Sequence, residues 1–77
     1  MKTYIATAIE YTIDDVTYDV KAFKNVETAR AWADEEITSQ AEEYPNGKLT
    51  KKPDYYYLSC GLMFFQIEIK EVEICEN

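Results

Sequence analysis

NVETARAWADEEITSQAEEY, residues 25–44, decides how the rest of the chain is read. At about 3.6 residues per turn it makes roughly five turns, and Val26, Ala29, Ala33, Ile37, Ala41 and Tyr44 fall within one sector of the helix. Glu27, Asp34, Glu35, Glu42 and Glu43 project elsewhere. Asn25 is placed to cap the first turn, where Glu27 suits the helix dipole, and Tyr44-Pro45-Asn46-Gly47 supplies the stop. Trp32 lies off the centre of the apolar sector and is expected along its rim. Gln40 lies inside the sector and needs a hydrogen-bond partner if it is buried.

Outward from the helix, both flanks alternate with the period of a strand. Thr3 to Ile13 sets Ile5, Thr7, Ile9, Tyr11 and Ile13 against Tyr4, Ala6, Ala8, Glu10 and Thr12. A turn at Asp14 and Asp15 places Ile13 opposite Val16, Tyr11 opposite Tyr18 and Ile9 opposite Val20. This register gathers Ile5, Ile9, Tyr11, Ile13, Val16, Tyr18, Val20 and Ala22 on one face, and that face is expected to receive the helix. Asp-Asp is a weaker turn than Asp-Gly, so a longer loop is the alternative.

After the helix, Gly47 to Pro53 reads as a polar connection carrying Lys48, Lys51 and Lys52, a solvated loop rather than a basic finger. Asp54 to Cys60 and Leu62 to Ile69 read as a second hairpin turning at Cys60 and Gly61. Leu58, Met63, Tyr56, Phe65, Ile67 and Ile69 form its core face, and Tyr55, Tyr57, Leu62 and Phe64 lie on the other. Beyond Ile69 the apolar phase moves to Val72 and Ile74, which predicts a bulge or the end of pairing near Lys70 and Glu71. The assembled expectation is one domain over residues 1–77 of α+β class, a two-layer β-β-α-β-β arrangement with a mostly antiparallel sheet and one helix on one face.

Composition narrows the function classes. Fifteen carboxylates against eight Lys and Arg, with no His, give a net charge of −7. Such a field repels phosphate backbones and acidic membranes and favours a basic partner, so direct nucleic-acid or membrane binding is not expected. The longest apolar run, Leu62 to Phe65, is too short to span a bilayer, and Met1 to Ala8 lacks the apolar stretch of a secretory leader, so the expected location is the cytoplasm. Cys60 and Cys75 would stand on the order of 45 Å apart on one extended segment, beyond disulfide reach. With no His, two Gly and no clustered Cys, the chain offers no nucleophile elbow, phosphate loop or His/Cys metal site. Asp14 and Asp15 are better read as a turn than as cation ligands. No enzyme activity, cofactor or metal is expected.

Two contact surfaces remain. Asp34, Glu35, Glu42 and Glu43 on the helix, with Asp14 and Asp15 on the first hairpin, form an acidic set suited to the basic groove of a nucleic-acid-processing enzyme. Glu10 and Asp19, and Glu68, Glu71, Glu73 and Glu76 near the end of the chain, extend it. Tyr55, Tyr57, Phe64 and Leu62, joined by Tyr4 and Phe23, form an aromatic patch on the side of the sheet away from the helix, suited to a protein interface or a homodimer. In size, acidity and lack of catalytic apparatus the chain resembles the anti-defence proteins of phages, such as anti-CRISPR or anti-restriction proteins. That resemblance covers general character and transfers no residue. It implies a protein-binding inhibitor or adaptor, and the alternative is a homo-oligomerising module built on the aromatic face.

Overall fold

A computed structural model describes residues 1–74, which form five strands and one helix. In chain order these are β1 (Lys2–Tyr11), β2 (Val16–Phe23), α1 (Val26–Glu43), β3 (Lys48–Lys52), β4 (Tyr55–Cys60) and β5 (Met63–Glu73). The strands make one antiparallel sheet in the order β2-β1-β5-β4-β3, with α1 packed on one face. The α+β two-layer expectation holds, with one strand more than expected. Gly47 to Pro53 is not a solvated loop, because Lys48–Lys52 pairs with β4 as the edge strand. Its alternation of Lys, Leu, Thr and Lys was masked in the sequence by charge.

The helix begins as its sequence dictates. Asn25 is extended, and its Oδ1 accepts from the Thr28 N–H at 2.8 Å and the Thr28 hydroxyl at 2.7 Å. At the other end the Tyr44 N–H donates to the Gln40 carbonyl at 3.2 Å, and the Gly47 N–H donates to the Tyr44 carbonyl at 2.8 Å. Gly47 is required here by space: a Cβ would stand 2.9 Å from Leu58 Cδ1 and 3.0 Å from the Tyr44 carbonyl oxygen. Ala29, Ala33 and Ile37 are the buried helical residues, while Ala41 and Tyr44 pack partly against the core. Gln40 is only half-buried, so its amide stays within reach of water.

The sheet face beneath the helix differs from the expected one on the first hairpin. Ala6 and Ala8 are buried under α1, whereas Ile5, Thr7, Ile9 and Tyr11 lie on the opposite, uncovered face. Pairing explains the reversal. Ala6 lies opposite Ile69 and Ala8 opposite Ile67, so the side chains of β1 that share the core face of β5 are the small ones. Small residues on the strand and small residues at Ala29 and Ala33 bring helix and sheet backbones close, and Ile37, Leu58 and Ile67 fill the remaining space without exposure. The bulky β-branched residues would not fit there.

The β1–β2 register is also displaced by two residues from the expected one. Tyr11 pairs with Val16, Ile9 with Tyr18 and Thr7 with Val20, leaving Thr12 to Asp15 as a four-residue loop. The Thr12 N–H donates to the Asp15 carbonyl at 2.8 Å, the Asp15 N–H donates to Thr12 Oγ1 at 3.1 Å, and the Val16 N–H donates to Asp15 Oδ1 at 2.8 Å. A side chain that closes its own loop explains why two Asp residues did not make a two-residue turn. A two-residue displacement keeps every side chain on its face, so the expected grouping of Ile9, Tyr11, Val16, Tyr18 and Val20 survives on the uncovered side.

The second hairpin turns at Gly61 and Leu62, with Gly61 at φ +61, rather than at Cys60 and Gly61. Leu58 therefore faces Phe65 rather than Met63, and Tyr56 faces Ile67 rather than Phe65; these four residues are buried on the expected core face, while Met63 is half-buried. No bulge occurs at Lys70 and Glu71. Pairing with β1 runs unbroken to Glu73, and the shift in apolar phase means only that Val72 belongs to the uncovered face. The extended reading of Leu62 to Ile74 holds over Met63–Glu73, with Leu62 in the turn, while the expectation about a Cys60–Cys75 bridge falls on a residue outside those described.

Ile37 lies at the centre of the contact, with Ala33 one turn before it and no exposure. Ile37→Ala is expected to lower stability by about 2–5 kcal/mol, a large part of the roughly 5–15 kcal/mol that holds a small domain. Urea titration monitored by Trp32 fluorescence measures the loss, and an unchanged midpoint would place Ile37 outside the core.

Candidate functional site

The face of the sheet away from α1 is uncovered and carries rows of side chains contributed by all five strands. Read across the strands from β2 to β3, one row runs Val16, Tyr11, Phe64, Ser59, Lys48 and the next Tyr18, Ile9, Gln66, Tyr57, Thr50. A third row continues with Val20, Thr7, Glu68, Tyr55 and Lys52. Four rings form a continuous stack within these rows. Tyr11 and Phe64 lie 5.2 Å apart at 9°, Phe64 and Tyr57 5.8 Å at 22°, and Tyr57 and Tyr55 6.3 Å at 6°. The near-parallel rings pack against one another across β1, β5 and β4 and, for Tyr55 and Tyr57, along β4 itself. The Tyr55 hydroxyl donates to Gln66 Oε1 at 3.4 Å, joining β4 to β5 on the same face.

Exposure follows the edge of this stack. Tyr18 is 68% exposed, Val20 60%, and Tyr11 and Val16 41% each, so the apolar surface runs onto β2 rather than stopping at β1. At the far end of the face, Ile5, Thr7, Glu68, Lys70 and Val72 line a shallow groove of about 330 Å³.

Of the expected aromatic residues, Tyr55, Tyr57 and Phe64 are brought together. Leu62 stands exposed at the β4–β5 turn, beyond the strands. Tyr4 and Phe23 do not join the patch. They pair across the sheet on the helix side and pack partly against the core, with Phe23 5.8 Å from Trp32. Tyr11 takes their place. Hydrophobic alternation alone conceals its membership, because it puts Tyr11 on the covered face of β1; the observed parity places Tyr11, Ile9, Val16, Tyr18 and Val20 together on the uncovered surface. Trp32 lies on the rim as expected, with Lys21 Nζ 5.3 Å from its ring centroid.

The acidic set divides. Asp34 is held by Lys51 at 2.7 Å, and the same ammonium donates to the Thr38 hydroxyl at 3.2 Å, so this pair ties edge strand β3 to the helix. Asp15 closes its own loop through the bonds given above. Asp14, Glu35, Glu42 and Glu43 are exposed and have no ion pair among the described residues. Glu68 and Glu71 lie beside Lys70 and Lys2, at 3.6 and 3.7 Å. Glu76 lies outside the described residues.

A contact that sequence reasoning missed sits at the other end of the helix. Asp54, at φ 64 in the turn after Pro53, accepts from Arg30 Nε at 2.8 Å and Nη2 at 3.3 Å, while its carbonyl accepts from the Ile69 N–H at 2.9 Å. One residue thus joins α1, the β3–β4 turn and β5. The hydrogen bond to Asp54 raises the Arg30 pKa, which keeps the fork charged.

Among the described residues no group of three or more His, Cys, Asp or Glu is arranged to hold a metal ion, and no helix is long and apolar enough to cross a membrane. The geometry defines a two-layer α+β protein with one covered and one open sheet face. No family model matches the chain, and neither a curated protein nor a solved structure matches it.

Burial raises the pKa of the Tyr56 phenol, and the charges of Asp34 and Asp54 add to the effect. Tyr4 is raised as well, by desolvation and by the hydrogen bond it donates to Glu71 Oε1 at 3.2 Å. Both phenols are favoured neutral in the folded state. Their contribution is therefore fully present below the unfolded tyrosine value of about 10 and is lost as pH rises through the folded values. Urea midpoints should fall between about pH 9 and pH 11, and less steeply in Tyr56→Phe; equal slopes would mean that Tyr56 is not desolvated.

Proposed function

We propose that this protein is a non-catalytic binding protein, an inhibitor or adaptor that docks on another protein through the open face of its sheet. The observation that carries the reading is the stack of Tyr11, Phe64, Tyr57 and Tyr55 continuing into exposed Tyr18, Val20 and Val16. Aromatic side chains on a preorganised backbone supply contact area at little entropic cost, which is the usual composition of an interface centre. Surface of this kind on a chain so small favours a binding role over a purely structural one.

Charge supports the choice of partner. A net charge of −7, with Glu35, Glu42 and Glu43 exposed on the helix, steers the molecule toward a basic surface while the rings make the lasting contact. A nucleic-acid-processing enzyme, whose groove is basic by necessity, is the partner class this combination fits. Blocking such a groove is the anti-defence role implied by the resemblance to phage anti-CRISPR and anti-restriction proteins. Direct binding of nucleic acid is not part of the proposal, because the same field opposes a phosphate backbone. A homo-oligomer through the ring stack is the competing use of this face.

The two contributions separate kinetically. With the partner captured from host extract, identified and purified, Tyr57→Ala with Phe64→Ala should weaken affinity about tenfold or more through faster dissociation, at low and high salt alike. Reversing Glu35, Glu42 and Glu43 to Lys should slow association at low salt, with the effect fading as salt rises. Parent-like binding by the ring variant would overturn the open-face reading, and loss of self-association instead of partner binding would favour the homo-oligomer.

A further inference from the structure

The sheet has two free edges, and they are built differently. Edge β3 carries Lys48, Lys51 and Lys52 in five residues and is followed by Pro53, which has no N–H to donate. Lysines and proline are the ordinary guards against strand addition. Edge β2, VTYDVKAF, has neither proline nor glycine, and its pairing with β1 runs without a bulge from Phe23 to Val16. It is an open template.

Its charges are Asp19 and Lys21, two residues apart on the helix side of the sheet and on either side of Val20. Neither has an ion pair among the described residues. From this arrangement we infer that β2 is a self-complementary edge that pairs antiparallel with β2 of a second copy, about a two-fold axis at Val20. That axis sets Asp19 opposite the partner's Lys21 and Lys21 opposite the partner's Asp19, while Tyr18 faces the partner's Ala22 on the aromatic side.

Neighbouring registers fail on charge. Centring the axis on Asp19 brings two carboxylates together, and centring it on Lys21 brings two ammonium groups together. A two-fold axis lying in the sheet plane runs along the strands and makes the pairing parallel, with each residue level with its own copy but on the opposite face, which a β ladder does not allow. The register at Val20 is the one that pairs both charges.

A second feature places the incoming lysine. Asp19 lines a cleft of about 180 Å³ between β2 and α1, together with Glu10, Glu36, Thr17, Gln40 and Trp32. The partner's Lys21, opposite Asp19, brings a cation to the mouth of a cleft that holds three carboxylates. The product is a ten-stranded sheet with both helices on one side and the two aromatic faces continuous on the other. The inference is independent of the partner reading above.

Sedimentation equilibrium at about 100 µM and low salt tests it, with far-UV circular dichroism confirming each variant's fold. The parent is expected to be a dimer. Asp19→Lys and Lys21→Asp should each dissociate about tenfold or more readily, and an equimolar mixture of the two should recover a heterodimer, because each then supplies what the other repels. Tyr57→Ala with Phe64→Ala should leave this dimer intact. Hydrogen exchange on the parent gives a check free of mutation: amides of β2 should gain protection with concentration while those of β3 do not. A monomeric parent, or single charge variants that self-associate as tightly as their mixture, would overturn the inference. Dissociation by the ring variant alone would move the dimer to the open face, leaving that surface a binding site and β2 an unused edge.

Discussion

The register between β1 and β5 is the constraint on which the rest depends. With Ala6 beside Ile69 and Ala8 beside Ile67, the covered face of the central strands carries large residues from β5 and methyl groups from β1. That asymmetry leaves room for Ala29 and Ala33 to approach β1 while Ile37 enters the core with Leu58 and Ile67. A slip of one residue would turn Ile5 and Ile9 toward the helix, where they would overfill the space and set apolar Ala6 and Ala8 against solvent. The same register holds Tyr11 against Phe64 on the other face. Core and candidate site are therefore two consequences of one pairing.

What the amino-acid sequence discloses follows from how local each interaction is. The helix was legible because its signals are local: Asn25 as cap, alanines and Ile37 at helical spacing, Pro45 and Gly47 at the end. The core face of β4 and β5 was legible for a similar reason, since Tyr56, Leu58, Phe65, Ile67 and Ile69 share one parity on either side of a glycine turn. The covered face of β1 was not, because hydrophobicity favours burying Ile5 and Ile9, whereas packing against an alanine-lined helix requires Ala6 and Ala8. Size complementarity between distant segments decides that point, and neither segment reveals it alone. Strand β3 was hidden differently: lysines mark an edge strand as readily as a loop.

The site shows the same division. Tyr55, Tyr57 and Phe64 were found from parity within one hairpin, whereas Tyr11, Tyr18 and Val20 became part of the surface only once β1 was turned over. The acidic set was read from charge alone, and charge does not say which carboxylates the fold uses internally. Asp34 serves the β3 edge through Lys51, and Asp15 closes a loop. Glu35, Glu42 and Glu43 are exposed and have no ion pair among the described residues. The fold leaves apolar side chains uncovered on one face, carries lysines along edge β3 and has neither proline nor glycine in edge β2.

The central claim is the orientation of β1, and methyl nuclear Overhauser effects in a labelled sample test it most directly. The account predicts cross-peaks from the Ala6 and Ala8 methyls to those of Ala29, Ala33 and Ile37, with Ile9 showing contacts to Tyr18 and none to the helix. Cross-peaks from Ile5 and Ile9 to Ile37 would contradict it, and would return the aromatic face to the helix side.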